Sequence, residues 1–171
     1  LVGSEMCIRD RGMVHQHFML IEPLTVTENI ILGYEEDTGL FLDRKEARQK
    51  IKKLSDRYGL HIDPDARVED ITVGQQQRVE ILKALYRGAD VLIFDEPTAV
   101  LTPQEIKEFI DIVNKLTSME KSIIIITHKL AEIKAMADYC TIIRRGEFID
   151  KLRVADIDEN ILAEKMVGRN V

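Results

Sequence analysis

An α/β layered fold with a largely parallel sheet, joined to a helical subdomain, is the class this sequence predicts. Three observations predict it. From Gln75 onward, helical periodicity alternates with short apolar runs. Those runs, Val91-Leu92-Ile93-Phe94 and Ile123-Ile124-Ile125-Ile126, lack polar alternation, the pattern of strands covered by helices on both faces. Between Thr25 and Gly88 the apolar residues recur mainly at helical spacing instead.

Each element has its own signal. Met13 to Phe18 reads as a short strand or extended loop. Thr25 to Gly33 reads as a short helix, because Thr25 and Glu28 form an S/T-x-x-E capping box and Gly33 can end it. Glu35 to Leu42 is polar and turn-rich, hence a loop. Arg44 to Tyr58 carries Ala47, Ile51, Leu54 and Tyr58 on one face, with Gly59 after its end. Asp63-Pro64-Asp65 is a turn. Gln75 to Arg87 places Val79, Leu82, Leu85 and Tyr86 on one side, and Gly88-Ala89-Asp90 breaks it. Thr102-Pro103-Gln104-Glu105 opens a helix with a capping box and a first-turn proline. That helix runs to about Leu116 with Ile106, Phe109, Ile110 and Val113 inward. A helix over Lys129 to Ala137, strands over Thr141 to Arg144 and Glu147 to Leu152, and a helical tail over Asp158 to Val167 complete the reading.

Composition excludes several classes. The 171 residues suffice for a real core, and nine glycines with four prolines are too few for a collagen-like or low-complexity chain. No apolar run approaches the roughly 18 residues of a membrane span, so a transport role depends on another chain. A net charge of −6 without a basic stripe argues against sequence-independent nucleic-acid binding. Cys7 and Cys140, far apart, make neither a disulfide framework nor a metal-ligand set.

In parallel sheets chemistry sits at the carboxyl ends of the strands. The first apolar strand ends in Asp95-Glu96-Pro97. Adjacent carboxylates there can divide the work: one holds Mg²⁺, the other orients or deprotonates a water; a solvated acidic loop is the bland alternative. The second ends in Thr127-His128, where the histidine is either structural or, beside Asp95 and Glu96, able to hold a phosphate. Ile71-Thr72-Val73-Gly74-Gln75 stands where a loop becomes a helix, and a helix N-terminus can cradle a phosphate. In His15-Gln16-His17 the two imidazoles would share a face of a strand, but no third ligand with metal spacing is evident. The Gln16 amide oxygen can coordinate Mg²⁺ or water.

Taken in order, Gln16, Thr72-Val73-Gly74-Gln75, Val91 to Glu96 and His128 resemble the Q-loop, signature motif, Walker B motif and H-loop of ABC transporter ATPase domains. Met13 to Phe18 and Pro97 to Glu105 are similar to the first of two tandem ATPase domains in importers of simple sugars and nucleosides, and Met166-Val167-Gly168-Arg169 resembles the end of that domain. The resemblance implies a P-loop NTPase-type core and an ATP- and Mg²⁺-dependent ATPase. It implies that Asp95 and Gln16 hold Mg²⁺, that Glu96 is the general base, and that His128 contacts the γ-phosphate. Thr72, Val73, Gly74 and Gln75 would clasp the ATP of an opposite domain. The implied partners are membrane-spanning permease subunits, touched by about Leu20 to Tyr34, a second ATPase domain and, indirectly, an extracytoplasmic solute-binding protein. The implied place is the cytoplasmic face of the cell membrane, and nucleic acid is not a partner.

The sequence departs from that pattern in places. No glycine is followed by lysine, so the Walker A loop G-x-x-x-x-G-K-[ST] and the strands that carry it are expected to be missing, with only 15 residues before Gln16. Residues 1–11 look foreign to the family. The expected organisation is therefore a non-native segment, 1–11, and a partial ATPase domain, 12–171. Within it, about 19–88 is the helical signature subdomain and 89–171 the Walker B and H-loop half. Such a fragment is expected to be inactive alone and poorly soluble. Val73 replaces a signature glycine, and Thr102 stands where an aspartate is usual. Two other readings remain at this point: an ABC-type ATPase of translation or DNA repair, and a non-catalytic interaction module.

Overall fold

The computed structural model describes residues 10–16, 18–33 and 44–168. The chain divides into two compact units, Leu1–Ile126 and Thr127–Val171. The expected loop over Glu35 to Leu42, His17, Cys7 and Arg169 lie outside the described residues.

The first unit is built on a three-stranded parallel sheet. Strands β1 (Arg11–Val14), β2 (Val91–Asp95) and β3 (Ser122–Ile126) lie side by side in that order. The register sets Val14 beside Phe94, and Phe94 beside Ile125. One face is closed by helices. Leu92 and Phe94 are fully buried there, and the Phe94 ring meets Phe109 edge-to-face at 5.3 Å between centroids. Phe109 belongs to α4 (Pro103–Ser118), which packs on β3. Helix α3 (Val73–Tyr86) packs on β1 so closely that a Cβ on Gly12 would stand 2.6 Å from the Ala84 methyl carbon, so only glycine fits there.

The opposite face corrects the expectation of strands buried on both sides. Met13, Ile124 and Ile126 are 43%, 51% and 49% exposed, and Val91 and Ile93 are only half-buried. The pleat puts these residues on the face away from α3 and α4, and no described element of this unit covers it. The apolar run of β3 recorded β-propensity and strand position; it did not record double coverage.

The helical part of the first unit comprises α1 (Val26–Ile31), α2 (Arg44–Tyr58) and α3. Val26, Ile30, Ile51, Val79 and Leu82 are fully buried between them. The Thr25 capping box forms as expected. Buried Asn29 fixes the turn before α1, accepting from the Ile21 N–H at 2.7 Å and donating to the Ile21 carbonyl at 3.0 Å. Inside α4 the buried set is Phe109, Ile112, Val113 and Leu116, with Ile106 and Ile110 at its margin. The inward stripe is thus turned slightly from the expected one.

The second unit is not parallel. Helix α5 (Leu130–Met136) precedes an antiparallel hairpin of β4 (Tyr139–Arg144) and β5 (Glu147–Arg153), and α6 (Glu159–Val167) closes it. The turn residues Arg145 and Gly146 both have positive φ, 52° and 82°, the primed turn that matches strand twist. Ile142, Ile157 and Leu162 form its core. Burial pushes the Cys140 thiol up, away from reactivity.

Candidate functional site

Strand β2 runs in the middle of the sheet and stops at Asp95. The next residue breaks the strand conformation. Glu96 has φ of +46°, in the left-handed region that costs a non-glycine residue about 1 kcal/mol or more. Its N–H still donates to the Ile126 carbonyl at 2.9 Å, so the kink occurs while the ladder to β3 is kept. Asp95 and Glu96 stand together at the carboxyl end of the sheet, each half-buried. A turn follows, with the Ala99 N–H donating to the Glu96 carbonyl at 3.1 Å.

This kinked segment is held from α3. The Gln77 amide, 2% exposed, donates to the Pro97 carbonyl at 2.7 Å, and Thr98 is buried beside it. The apolar periodicity of α3 does not by itself point to Gln77 and Glu80, which are buried on it. Their signal was there: polar residues at positions 77 and 80, three apart, on the buried side of an otherwise apolar helix face.

Gln16 lies two residues past the end of β1, at the same sheet edge as Asp95 and Glu96, since Val14 pairs with Phe94. It is exposed, as is His15. The segment beyond is gripped by α3 through both backbone groups of Met19. The Met19 N–H donates to Glu80 at 3.0 Å, and its carbonyl accepts from Lys83 at 3.2 Å, with Lys83 and Glu80 themselves 3.7 Å apart.

The Thr72 motif forms the N-terminus of α3. Thr72 is its N-cap and Gln75 completes the capping box. The Thr72 hydroxyl accepts from the Gln75 N–H at 3.3 Å, and the Gln75 side chain takes the Thr72 N–H at 3.0 Å. Val73 turns outward, 40% exposed. A carboxylate sits on this helix end. Glu105 Oε1 accepts from the Thr72 hydroxyl and from the Gly74 N–H, both at 3.2 Å. Its Oε2 accepts from the Thr102 N–H at 2.9 Å and the Thr102 hydroxyl at 2.8 Å. Hydrogen bonds from Thr102, then Gly74 and Thr72, hold the Glu105 carboxyl below its ordinary range against a smaller burial penalty.

His128 follows β3 by two residues and belongs to the second unit. It is exposed, and its segment is ordered by Thr127, whose hydroxyl accepts from the Lys129 N–H at 3.1 Å and donates to buried Glu132 at 3.3 Å.

The ends of β1 and β2 thus bring hard oxygen donors, Asp95 and the Gln16 amide, to one edge of the first unit. That set suits Mg²⁺, which takes one or two protein oxygens and completes its shell with water and phosphate. No cluster of three or more histidine, cysteine or carboxylate side chains with metal-site geometry occurs among the described residues.

Residues 5–99, more than half of the chain, match the family model described as ABC transporter. The chain belongs to the ABC transporter family. It is 63% identical over 160 residues to the nucleoside import ATP-binding protein NupA of Lactococcus lactis subsp. cremoris, covering 94% of this chain and 32% of the relative. It is 59% identical over 160 residues to the guanosine import ATP-binding protein NupO of Bacillus subtilis, covering 94% of this chain and 31% of the relative. The chain therefore spans about a third of the length of these curated relatives. Among solved structures, cbiO1 of Clostridium perfringens, titled as part of the ABC transporter complex cbiONQ, matches with a TM-score of 0.76 and 25% identity, covering 97% of this chain and 64% of that one. The α/β class with a parallel sheet is the fold of this family. Among the described residues, no helix is long and apolar enough to cross a membrane.

Proposed function

We propose that this chain is part of the ATP-binding component of an ABC importer of nucleosides, coupling ATP hydrolysis to uptake. One observation carries the catalytic half of the reading: adjacent carboxylates, the second on a left-handed kink, at the carboxyl end of the central strand. The printed functions of the two relatives, nucleoside and guanosine import, support the solute class. The wider set includes glucose and ribose importers at 45% and 43% identity, below the nucleoside pair.

In this reading Glu96 accepts a proton from the water that attacks the terminal phosphate, in line with the leaving oxygen. Asp95 and Gln16 hold Mg²⁺, which neutralises phosphate charge when bound. His128 is assigned to the γ-phosphate by the family pattern alone. The N-terminus of α3, with Thr72, Val73, Gly74 and Gln75, clasps the phosphates of ATP carried by a second ATPase domain. The stretch from about Leu20 to Tyr34, in which Ile21 and Leu32 are 45% and 53% exposed, meets membrane-spanning permease subunits at the cytoplasmic face. An extracytoplasmic solute-binding protein delivers the nucleoside.

The test is Glu96→Gln in the full-length protein assembled with its permease in vesicles. Removing a general base is expected to slow ATP hydrolysis and labelled-nucleoside uptake by about 10²- to 10⁴-fold while nucleotide binding persists. Hydrolysis at the wild-type rate would refute the assignment of Glu96. Uptake of a sugar in place of nucleosides would refute the solute class.

A further inference from the structure

We infer that Glu105 is a built-in competitor for the phosphate clasp: its carboxylate occupies the donors at the α3 N-terminus that ATP must take over, and it withdraws when ATP arrives. The inference rests on the reading just given and concerns what controls that same site.

The argument starts from the donors. Of the first-turn groups of α3, the Gln75 N–H is satisfied within the helix cap by the Thr72 hydroxyl. The Thr72 hydroxyl hydrogen and the Gly74 N–H point out of the helix end, where the dipole favours an anion. Both are given to a single oxygen, Oε1 of Glu105, from a residue 31 positions away from Gly74. The approach is close: a Cβ on Gly74 would stand 2.6 Å from that oxygen. A carboxylate and a phosphate oxygen cannot share these two donors. Each is negative, and each needs the same place.

The carboxylate is also poised to leave. Its contacts with α3 are long, 3.2 Å each, whereas its other oxygen makes shorter bonds of 2.9 and 2.8 Å within the cap of its own helix. A change in the side-chain torsions of Glu105 withdraws Oε1 from Thr72 and Gly74. Glu105 caps α4, and α4 begins directly after the Pro97 to Leu101 segment that leaves Glu96. The sequence signal was a plain capping box, which explains only half of the contacts of this side chain.

A site whose competent state is only partly populated binds with affinity reduced by that fraction. Glu105→Gln keeps an oxygen for the Thr102 cap but removes the charge that holds α3. Glu105→Asp keeps the charge and loses the reach. In the full-length ATPase assembled with its permease, both substitutions are expected to lower the KM for ATP, by about three- to tenfold for the Gln variant, with kcat unchanged. Melting temperatures of the same samples show that the fold is kept; if the Gln variant fails to fold, the Asp variant carries the test. A KM that stays the same, or that rises, or a kcat that falls in a folded variant, overturns the inference. Wild-type protein that hydrolyses no ATP overturns the proposed function, and this inference with it. Wild-type hydrolysis with unaltered variants overturns the inference alone.

Discussion

Glu96 shows how far a single residue carries both strain and chemistry. Its left-handed φ of +46° turns the chain sharply while its N–H stays on the Ile126 carbonyl. Such strain persists only where the surroundings fix it. Here Gln77 does so, through its bond to the Pro97 carbonyl. Two outcomes follow. Glu96→Gly is expected to be more stable than Glu96→Ala by about 1 kcal/mol, because both lose the side chain and only glycine adopts this φ without strain. Thermal melts of the pair check it, and equal melting temperatures would show that the backbone relaxes. Gln77→Ala leaves the Pro97 carbonyl without its buried donor and is expected to destabilise by about 1–3 kcal/mol, measured by urea unfolding.

At the scale of elements, caps and turns decide where the helices begin. Thr25, Thr72 and Thr102 each form a complete capping box with a residue three positions on. Thr102→Ala is expected to cost about 1 kcal/mol, and more if Glu105 also loses its place on α3, with circular dichroism melts as the measure. These helices were legible in the sequence because their signals are local: Thr25 with Glu28, Thr102 with Pro103 and Glu105, Gly59 after Tyr58. The end of β2 was legible too, in the apolar run that stops at Asp95 and Glu96, whereas β1 is Arg11–Val14 and ends before Gln16, short of the Met13 to Phe18 stretch that the sequence suggests. What stayed hidden was long-range. Nothing near Glu105 in sequence says that its second oxygen reaches Gly74. Nothing near Glu80 and Lys83 says that they grip Met19, more than 60 residues away. The run of four isoleucines in β3 reports strand propensity and not coverage, and Ile124 and Ile126 are half-exposed.

For the whole molecule, charge sets the response to acid. The chain carries 30 carboxylate side chains against 24 lysines and arginines. Both units place carboxylates in specific bonds. In the first, Thr25 holds the Glu28 carboxyl below its ordinary range, Arg48 does so for Asp65, and Thr102 for Glu105. In the second, Lys165 bonds Asp150 at 2.8 Å and lowers it likewise. A folded pKa below the unfolded value means that the folded state binds protons less readily, so these bonds stabilise at neutral pH. That stabilisation is lost as pH falls through the ordinary carboxylate range, near 4, toward the depressed folded values. Protonation there also turns a net charge of −6 into a positive one, and the resulting self-repulsion acts in the same direction. The melting temperature is therefore expected to be nearly flat from about pH 8 to 5 and to drop steeply below about pH 4.5. Adding salt should soften the drop only in its self-repulsion part, because screening weakens long-range repulsion more than it weakens a carboxylate held by backbone N–H groups. Differential scanning calorimetry across pH at two ionic strengths separates the two contributions. A melting temperature that rises on acidification would show that the bonded carboxylates cost the fold more in burial than they return.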